Sequence, residues 1–256
     1  MAERTTKSEW FETLRSSLEQ METAGRSVKV FVRDDDVDEA EASLHQLLNR
    51  FLELEIPINL EIIPGLLTGS AIATLKRHRQ LRPDLFELNQ HGWLHVNHET
   101  EGRKCEFGAK RNYEQQQTDI RRGQEVLRNA FGEAFSPVFT PPWNRCTEET
   151  HRALDQLGFA AISKLQSKQP VVGYGLRELS VTLDIFRWQG GATLKPADEI
   201  IAELVSQLRE LDMVGIMLHH KVMDDTAFEF IRQLLDELRR SEAVSFHTFR
   251  GLLKMA

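Results

Sequence analysis

Residues 28–63 read VKVFVRDDDVDEAEASLHQLLNRFLELEIPINLEII, and this stretch contains the pattern that decides the fold. Its first apolar run, 28–33, is rich in valine and phenylalanine, as is typical of a buried strand. Over 39–54, apolar residues recur three and four positions apart, which indicates an amphipathic helix. A second short apolar run follows at 58–63. The stretch therefore predicts a strand, a helix and a second strand that lies parallel to the first.

The same alternation continues along the rest of the chain. The predicted strands are 28–33, 58–63, 85–88, 137–140, 160–163, 179–186, 214–218 and 244–246. The predicted helices are 8–23, 39–54, 69–79, 114–131, 147–157, 197–210 and 226–240. An α/β fold with a parallel sheet, open or closed into a barrel, buries both kinds of element. We therefore predict one α/β domain over 25–256, with an extra N-terminal helix within 1–24 packed against it.

The composition excludes several classes of protein. Of the 256 residues, 41% are hydrophobic and 28% are charged, with only 15 Gly and 8 Pro, so the chain is neither disordered nor collagen-like. The formal net charge is −7 and there is no basic block, so we expect no nucleic-acid partner. No stretch reaches the roughly 18 apolar residues of a membrane span, and residues 1–7 lack an apolar signal segment. We therefore expect a cytoplasmic protein without an integral membrane segment.

Histidines and aspartates concentrate after three predicted strands. Five of the nine histidines fall in two short places, and three aspartates are consecutive; these residues are His91, His95, His98, His219, His220, Asp34, Asp35 and Asp36. Loops that follow the carboxyl ends of parallel strands share one face of an α/β fold, so we expect the three groups to meet. Because adjacent residues of a strand point in opposite directions, at most one of His219 and His220 should face the shared site.

The pair His91 and His95 has a spacing that suits a metal ion. Two imidazoles four residues apart can reach one metal, and a nearby carboxylate would complete a site with open positions for water. A divalent metal lowers the pKa of such a water to about 7. Two alternatives stay open at this point: the histidine pair is a surface coincidence, or the acidic run 34–36 is a solvated loop or a helix cap.

These residues resemble the motifs of the polysaccharide deacetylase family, carbohydrate esterase family four, over about residues 28–250. The first family motif, Thr-Phe-Asp-Asp-Gly, falls on 33–37, and the resemblance implies Asp35 as general base and Asp36 as metal ligand, with a one-residue slip toward Asp34 left open. The second, His-x-x-x-His, falls on His91 and His95, implied as the other ligands. The resemblance also implies a distorted (β/α)7-type barrel. The segments His-Gly-Trp-x-His and Pro-Pro-Trp-Asn-Arg are similar to those of an uncharacterised subgroup of the family.

The third and fourth motifs depart from the family pattern. Thr140 stands where the family has an arginine, ahead of Pro142, Trp143 and Asn144. The segment 184–188 resembles Asp-x-x-Asp-Trp, with Asp184 and Trp188 matching and Arg187 in place of the second aspartate. We therefore hypothesise that Arg187 takes over the missing guanidinium role, holding Asp35 or Asp184 by a charge-assisted hydrogen bond.

The fifth motif, Leu-x-His, is similar to 216–219. It implies His219 as general acid, and His220 stands where the family often has aspartate. Trp143 and Trp188 are expected walls of a sugar pocket, and His98 could shape that pocket.

The resemblance implies a metal-dependent hydrolase that removes an acetyl group from an N-acetylated sugar or a related carbohydrate. The expected cofactor is one divalent ion, zinc, with cobalt or nickel as alternatives, and the expected partner is a small-molecule or oligosaccharide substrate. Two other functions stay open. Relatives of this fold also cleave cyclic amides, and the departures at Thr140 and Arg187 are compatible with a glycan-binding protein that lacks turnover.

Overall fold

The computed structural model describes residues 7–167 and 173–255. The strands are β1 (Val28–Val37), β2 (Ile58–Ile62), β3 (Phe86–His91), β4 (Phe135–Thr140), β5 (Ala161–Ile162), β6 (Arg177–Glu178), β7 (Leu183–Asp184), β8 (Phe186–Arg187), β9 (Thr193–Leu194), β10 (Met213–Leu218) and β11 (Val244–Phe246). The helices are α1 (Lys7–Thr23), α2 (Ala42–Leu54), α3 (Gly69–Leu81), α4 (Tyr113–Phe131), α5 (Glu148–Gln156), α6 (Ala197–Glu210), α7 (Asp225–Arg239) and α8 (Phe249–Lys254).

The main sheet is parallel and curled. Its strands follow the order β6-β5-β4-β3-β2-β1-β10-β7, and β11 pairs with the beginning of β1. The strands β8 and β9 form a separate antiparallel pair. The predicted α/β class, with a single domain of the distorted (β/α)7 type and an additional N-terminal helix, is confirmed.

The segment 177–184 closes the sheet on itself. At its start β6 pairs with β5, and at its end β7 pairs with β10 at the other edge. The sequence predicted one continuous strand over 179–186. The structure has short strands instead, because the segment changes neighbours from one edge of the sheet to the other within a few residues.

Alternate residues of β1 face the inside and the outside of the barrel. Val30 and Val32 belong to the large core under the helices, whereas Phe31 belongs to a smaller cluster inside the barrel. The short helix α8 seals the amino end of this interior with the buried side chains of Phe249 and Leu252. The sequence did not predict α8, which has only six residues and is too short to show helical periodicity.

Helix α1 packs against α6 and α7. Its buried residues include Phe11, Leu14 and Leu18, and the ring of Phe11 lies 6.3 Å from that of Phe230 on α7. Residues 1–6 of the predicted N-terminal unit lie outside the described residues. Within the described chain, no helix has both the length and the apolar character needed to cross a membrane.

Candidate functional site

Three side chains converge where β1 and β3 end. The Nε2 atoms of His91 and His95 lie 3.3 Å and 3.2 Å from Oδ1 of Asp36. One potential ligand atom from each of the three residues lies within 4.8 Å of the others. The arrangement thus joins a carboxylate to two imidazoles that lie more than fifty residues later in the sequence.

The backbone around Asp36 and His95 is unusual for residues with a side chain. The pairing of β1 with β2 shifts register between Asp34 and Val37, and Asp36 within that interval has a φ of 70°. His95 has a φ of 55°. Non-glycine residues in this left-handed region are uncommon and carry conformational strain, which concentrates at functional sites.

A backbone contact on the Nδ1 side of the ring fixes the orientation of His91. Its ring is buried, and Nδ1 lies 3.0 Å from the backbone carbonyl oxygen of Thr140, to which it can donate a hydrogen bond. This contact leaves Nε2 directed at Asp36. An imidazole held by a carbonyl through one nitrogen, with the other nitrogen free, is the usual arrangement of a metal-binding histidine. The ring of His95 lies 4.4 Å from that of Trp143.

The turn between the two histidines is built on Gly92 and Glu106. The buried carboxylate of Glu106 accepts hydrogen bonds from the backbone N–H groups of Trp93, at 3.2 Å, and Leu94, at 2.7 Å. Gly92 has a φ of +58°, and a Cβ there would overlap Glu106 and come within 2.5 Å of Pro142. The turn therefore requires glycine for both its backbone conformation and its close packing.

We expect Gly92→Ala to destabilise the protein by about 2–5 kcal/mol, because strain at positive φ adds to overpacking. The matched control is Gly102→Ala. Gly102 also has a positive φ, +77°, but a Cβ there meets nothing within 4 Å, so only the backbone effect applies. Urea unfolding of both variants measures the difference. Equal losses of stability would show that packing against Glu106 and Pro142 contributes nothing.

The three clustered groups perturb one another's protonation. Burial lowers the pKa of His91, but the adjacent carboxylate of Asp36 and the charge of Asp35 outweigh burial and raise it to about 9. Burial and the charge of His91 lower the pKa of His95 to about 4. Burial raises the pKa of Asp36, yet His91 and His95 hold it below its ordinary value. The protein alone therefore favours an ionised carboxylate beside one charged and one neutral imidazole.

The donor set fits a divalent transition metal. Oδ1 of Asp36 is buried and lacks a hydrogen-bond partner among the described residues. A buried carboxylate oxygen without a donor is costly unless a cation or a water satisfies it. Two imidazole nitrogens and one carboxylate oxygen suit zinc, cobalt or nickel and leave coordination positions open.

A fully buried ion pair lies immediately below this cluster. Both side chains belong to β1: Nε and Nη2 of Arg33 donate to the two carboxylate oxygens of Asp35 at 2.8 Å and 2.9 Å. The exposed fractions of the two side chains are 0% and 2%. This bidentate geometry gives the carboxylate of Asp35 a fixed orientation.

The remaining donors of Arg33 are also used. Nη1 donates to Oγ of Ser163 at 2.9 Å, and Nη2 donates to Oδ1 of Asn144 at 2.7 Å and contacts Sδ of Met217 at 2.8 Å. Asn144 lies in the stretch where the family arginine was expected. The turn after β4 therefore contributes an amide oxygen that holds a guanidinium from β1, instead of contributing the guanidinium itself.

The position of Arg187 corrects the hypothesis made from the sequence. Among the described residues, its exposed guanidinium pairs with Glu199 on α6 and contacts neither Asp35 nor Asp184. The cation beside Asp35 is Arg33. The sequence contained a signal for this, because a buried arginine directly before three aspartates requires a carboxylate partner.

Asp34 points to the other side of β1 and pairs with His220. Its Oδ1 accepts the backbone N–H of His220 at 2.8 Å, and its Oδ2 lies 2.6 Å from Nδ1 of the same residue. Burial lowers the pKa of His220, but the charge and hydrogen bond of Asp34 raise it above its ordinary value. Nε2 of His220 lies 3.4 Å from the carboxylate of Glu41. These contacts attach the end of β10 to β1, away from the cluster of Asp36 and the two histidines.

His219 faces the opposite side from His220 and approaches Asp35. Its Nε2 lies 3.8 Å from Oδ2 of Asp35, too far for a hydrogen bond. The ring of Trp188 lies 4.5 Å from the His219 ring. The indole Nε1 of Trp188 donates a hydrogen bond to the carboxylate of Asp184 at 2.7 Å. Burial raises the pKa of Asp184. Asp184 therefore orients the tryptophan that covers His219.

The other predicted residues have different positions. Pro142 is buried against Gly92, whereas His98 is exposed and is not part of the Asp36 cluster. Trp93 packs under the guanidinium of Arg122, which lies 4.8 Å from the centre of its ring. Of the tryptophans in these loops, Trp143 and Trp188 are the ones that contact site histidines.

Sequence reasoning also missed Glu61, a fully buried carboxyl on β2. Its Oε1 accepts a hydrogen bond from Asn89 at 3.1 Å, and burial raises its pKa to about 8 despite the charge of Arg33. Glu61 is therefore mainly neutral at pH 7. The charge of Arg33 is therefore balanced by Asp35. These buried polar residues lie between the cluster of Asp36, His91 and His95 and the apolar interior of the barrel. The sequence of β2 alone gave no indication that Glu61 lies near Arg33.

Comparison with known proteins finds a family model that matches part of the chain. Residues 66–162 match the family model described as polysaccharide deacetylase. The matched segment contains His91, His95 and the turn after β4. Among curated proteins, none matches the sequence. The resemblance to polysaccharide deacetylases noted in the sequence is thus confirmed.

Solved structures share the fold at low sequence identity. A protein from Mycobacterium smegmatis described as a polysaccharide deacetylase is 17% identical, with 90% of each chain covered and a TM-score of 0.72. A family 4 acetyl xylan esterase from Clostridium thermocellum, solved with a cobalt ion, is 15% identical, covering 89% of this chain and 91% of that chain, with a TM-score of 0.60. A peptidoglycan N-acetylglucosamine deacetylase is also 15% identical, with 89% of each chain covered and a TM-score of 0.60.

Proposed function

With a polysaccharide deacetylase segment and the fold of these esterases as the premise, we propose that this protein is a metal-dependent hydrolase that removes an acetyl group from an N-acetylated sugar or a related carbohydrate. The observation that carries the proposal is the position of Asp35. This carboxylate, held by Arg33, lies beside the cluster of Asp36, His91 and His95 and faces His219. The proposed metal ligands, base and acid thus lie together at the ends of β1, β3 and β10.

Asp36, His91 and His95 are the proposed metal ligands. When bound there, a divalent ion, zinc in our proposal with cobalt or nickel as alternatives, supplies Lewis-acid activation of a water and of the acyl carbonyl. The convergence of Nε2 of His91 and Nε2 of His95 on Oδ1 of Asp36 supports this assignment.

Asp35 is the proposed general base. Arg33 fixes the plane of this carboxylate, so that it can take the proton from the water that attacks the acyl carbon. Asp34 is less suited to this role, because His220 occupies both of its oxygens on the other side of the strand. This difference favours Asp35 over Asp34 as the general base.

His219 is the proposed general acid. The 3.8 Å between its Nε2 and Asp35 leaves the two groups without a hydrogen bond to each other, and we propose that the substrate occupies the space beside both. A scissile C–N bond in that space would have the base on one side and the proton donor on the other. Protonation by His219 matters because an amine anion is too basic to leave unprotonated.

Trp143 and Trp188 are the proposed walls of the substrate pocket. Trp143 lies beside His95 and Trp188 beside His219, so the two indoles flank the reacting groups on different sides. Aromatic faces provide apolar surface for the C–H faces of a sugar ring.

The metal assignment is tested by loading the protein with zinc, removing excess ion by dialysis and measuring bound metal. We expect about one ion per chain in the unchanged protein and none in Asp36→Ala, His91→Ala or His95→Ala, since each removes a ligand from a three-residue site. The control is His98→Ala, which changes an exposed histidine of the same loop and should retain the ion. Retention of metal in the three ligand variants would reject the site.

Activity is tested by acetate release from N-acetylglucosamine oligomers by the zinc-loaded protein. Hydrolysis of cyclic amides without hydrolysis of these acetamides would favour the alternative function, cleavage of a cyclic amide bond. Glycan binding without release of acetate in any metal form would favour a binding protein.

A further inference from the structure

The buried carboxylate of Glu106 holds the chain that connects the two proposed histidine ligands. Glu106 is only 1% exposed, and it accepts hydrogen bonds from the N–H groups of Trp93, at 3.2 Å, and Leu94, at 2.7 Å. Trp93 and Leu94 lie in the middle of the five-residue segment that begins at His91 and ends at His95. The carboxylate therefore acts on the backbone between the ligands and not on either imidazole.

The placement of His95 depends on this turn. His91 ends β3, and the carbonyl oxygen of Thr140 fixes the orientation of its ring. His95 lies beyond the strand, and the backbone is left-handed both at Gly92, with a φ of 58°, and at His95, with a φ of 55°. A residue with a side chain keeps this conformation only where its surroundings hold it. The hydrogen bonds to Glu106 supply such a constraint.

The segment that carries Glu106 is itself anchored. The neighbouring residues Cys105 and Phe107 are both buried. The carbonyl of Cys105 accepts the N–H of His98 at 3.0 Å, and the carbonyl of Phe107 accepts the N–H of Thr147 at 3.1 Å. Glu106 therefore supports the turn from a fixed position, as the precise geometry of a metal site requires.

The charge of Glu106 also suits a cation at the cluster. Among the described residues, no lysine, arginine or histidine forms an ion pair with Glu106, and its hydrogen-bond donors are backbone N–H groups. Burial raises the pKa of Glu106, although the N–H groups of Leu94 and Trp93 and the charge of His91 oppose the shift. The carboxylate is thus close enough to the cluster for a cation there to stabilise it.

We propose that Glu106 is a positioning residue for the metal site. It holds the turn 92–95 in the conformation in which both histidines can bind one ion together with Asp36, and it thereby raises the affinity for that ion. This inference rests on the proposed function, of which the metal site is a part. Loss of a group that orients metal ligands typically weakens metal binding by about 10–100-fold.

The test is the zinc affinity of Glu106→Gln, measured on metal-free protein by competition with a chromogenic zinc chelator. Glutamine has nearly the shape of glutamate, but only one of its two terminal atoms accepts a hydrogen bond. Trp93 or Leu94 then loses its acceptor, and we expect zinc to bind about 10–100-fold more weakly. The matched control is Glu99→Gln. Glu99 lies in the same loop and accepts the N–H of Lys110 at 3.1 Å instead of an N–H between the ligands, so the affinity should not change.

Amide hydrogen exchange of the unchanged, metal-free protein gives a second test, which does not depend on the folding of a variant. We expect the N–H groups of Trp93 and Leu94 to be protected before zinc is added, because Glu106 holds the turn without the ion. Exchange of both groups at the rate of an unstructured peptide would overturn the proposal.

The possible outcomes separate this inference from the proposed reaction. Equal zinc affinity in Glu106→Gln and the unchanged protein, or an equal loss in Glu99→Gln, would overturn the inference and leave the reaction intact. Failure of the unchanged protein to bind zinc would overturn both. Zinc binding that depends on Glu106, without release of acetate from any substrate tested, would reject the reaction and retain the inference.

Discussion

Replacement of Arg33 by methionine is expected to lower the free energy of unfolding by about 3–5 kcal/mol, because it leaves the carboxylate of Asp35 buried without its cation. Ser163 and Asn144 lose a donor in the same substitution, which adds to the loss. Urea unfolding at pH 7 measures the change.

Two further variants separate the effect of breaking the ion pair on stability from the effect of losing any arginine. Arg187→Met removes an exposed guanidinium that pairs with Glu199, and it should change stability by only about 0–1 kcal/mol. The double variant Arg33→Met with Asp35→Leu buries no charge, and it should recover most of the stability lost in Arg33→Met. A double variant as unstable as the sum of its two single changes would mean that the ion pair itself is not the cause.

Asp35→Asn is expected to reduce acetate release by about 10²–10⁴-fold while the protein keeps its metal ion, because an amide cannot accept the proton of the attacking water. Metal content should be preserved, since Asp35 is not one of the three proposed ligands. Steady-state rates and bound zinc, measured on the same preparations, test both statements.

The matched control for Asp35→Asn is Asp34→Asn. Each change removes one carboxylate from a buried ion pair, with Arg33 in one case and His220 in the other, so both should destabilise the fold. The carboxylate that faces His219 is Asp35, so the loss of rate should be much larger for Asp35→Asn. A larger loss in the Asp34 variant would assign the base one residue earlier.

Short-range pattern and topology were enough to predict most elements and the meeting of the acidic run 34–36 with His91 and His95. A hydrophobic repeat of two residues indicates a strand, and one of 3.6 residues indicates a helix. Both repeats can be recognised within a short window of sequence. His91 and His95 are four residues apart, and Asp36 follows a strand, so topology alone places them together. These inferences need no knowledge of how individual side chains pack.

The parts that sequence reasoning missed depend on distant partners. Arg33 is held by Asn144 and Ser163, which lie 111 and 130 residues away, and no local pattern connects them. The motif position of Arg187 predicts a contact with Asp35 or Asp184, whereas the helix that follows offers it Glu199. The break in the predicted strand 179–186 arises from a change of neighbours, which only the closed sheet reveals.

The sheet topology also has a consequence for synthesis of the chain. β1 lies between β2 and β10, so one of its edges finds its partner early and the other is paired only after residue 213 has emerged. At roughly 5–20 residues per second, that edge of an apolar strand waits on the order of ten seconds or longer on the ribosome. A nascent chain that pauses before β10 therefore exposes a template for intermolecular pairing, which makes aggregation a risk during this interval.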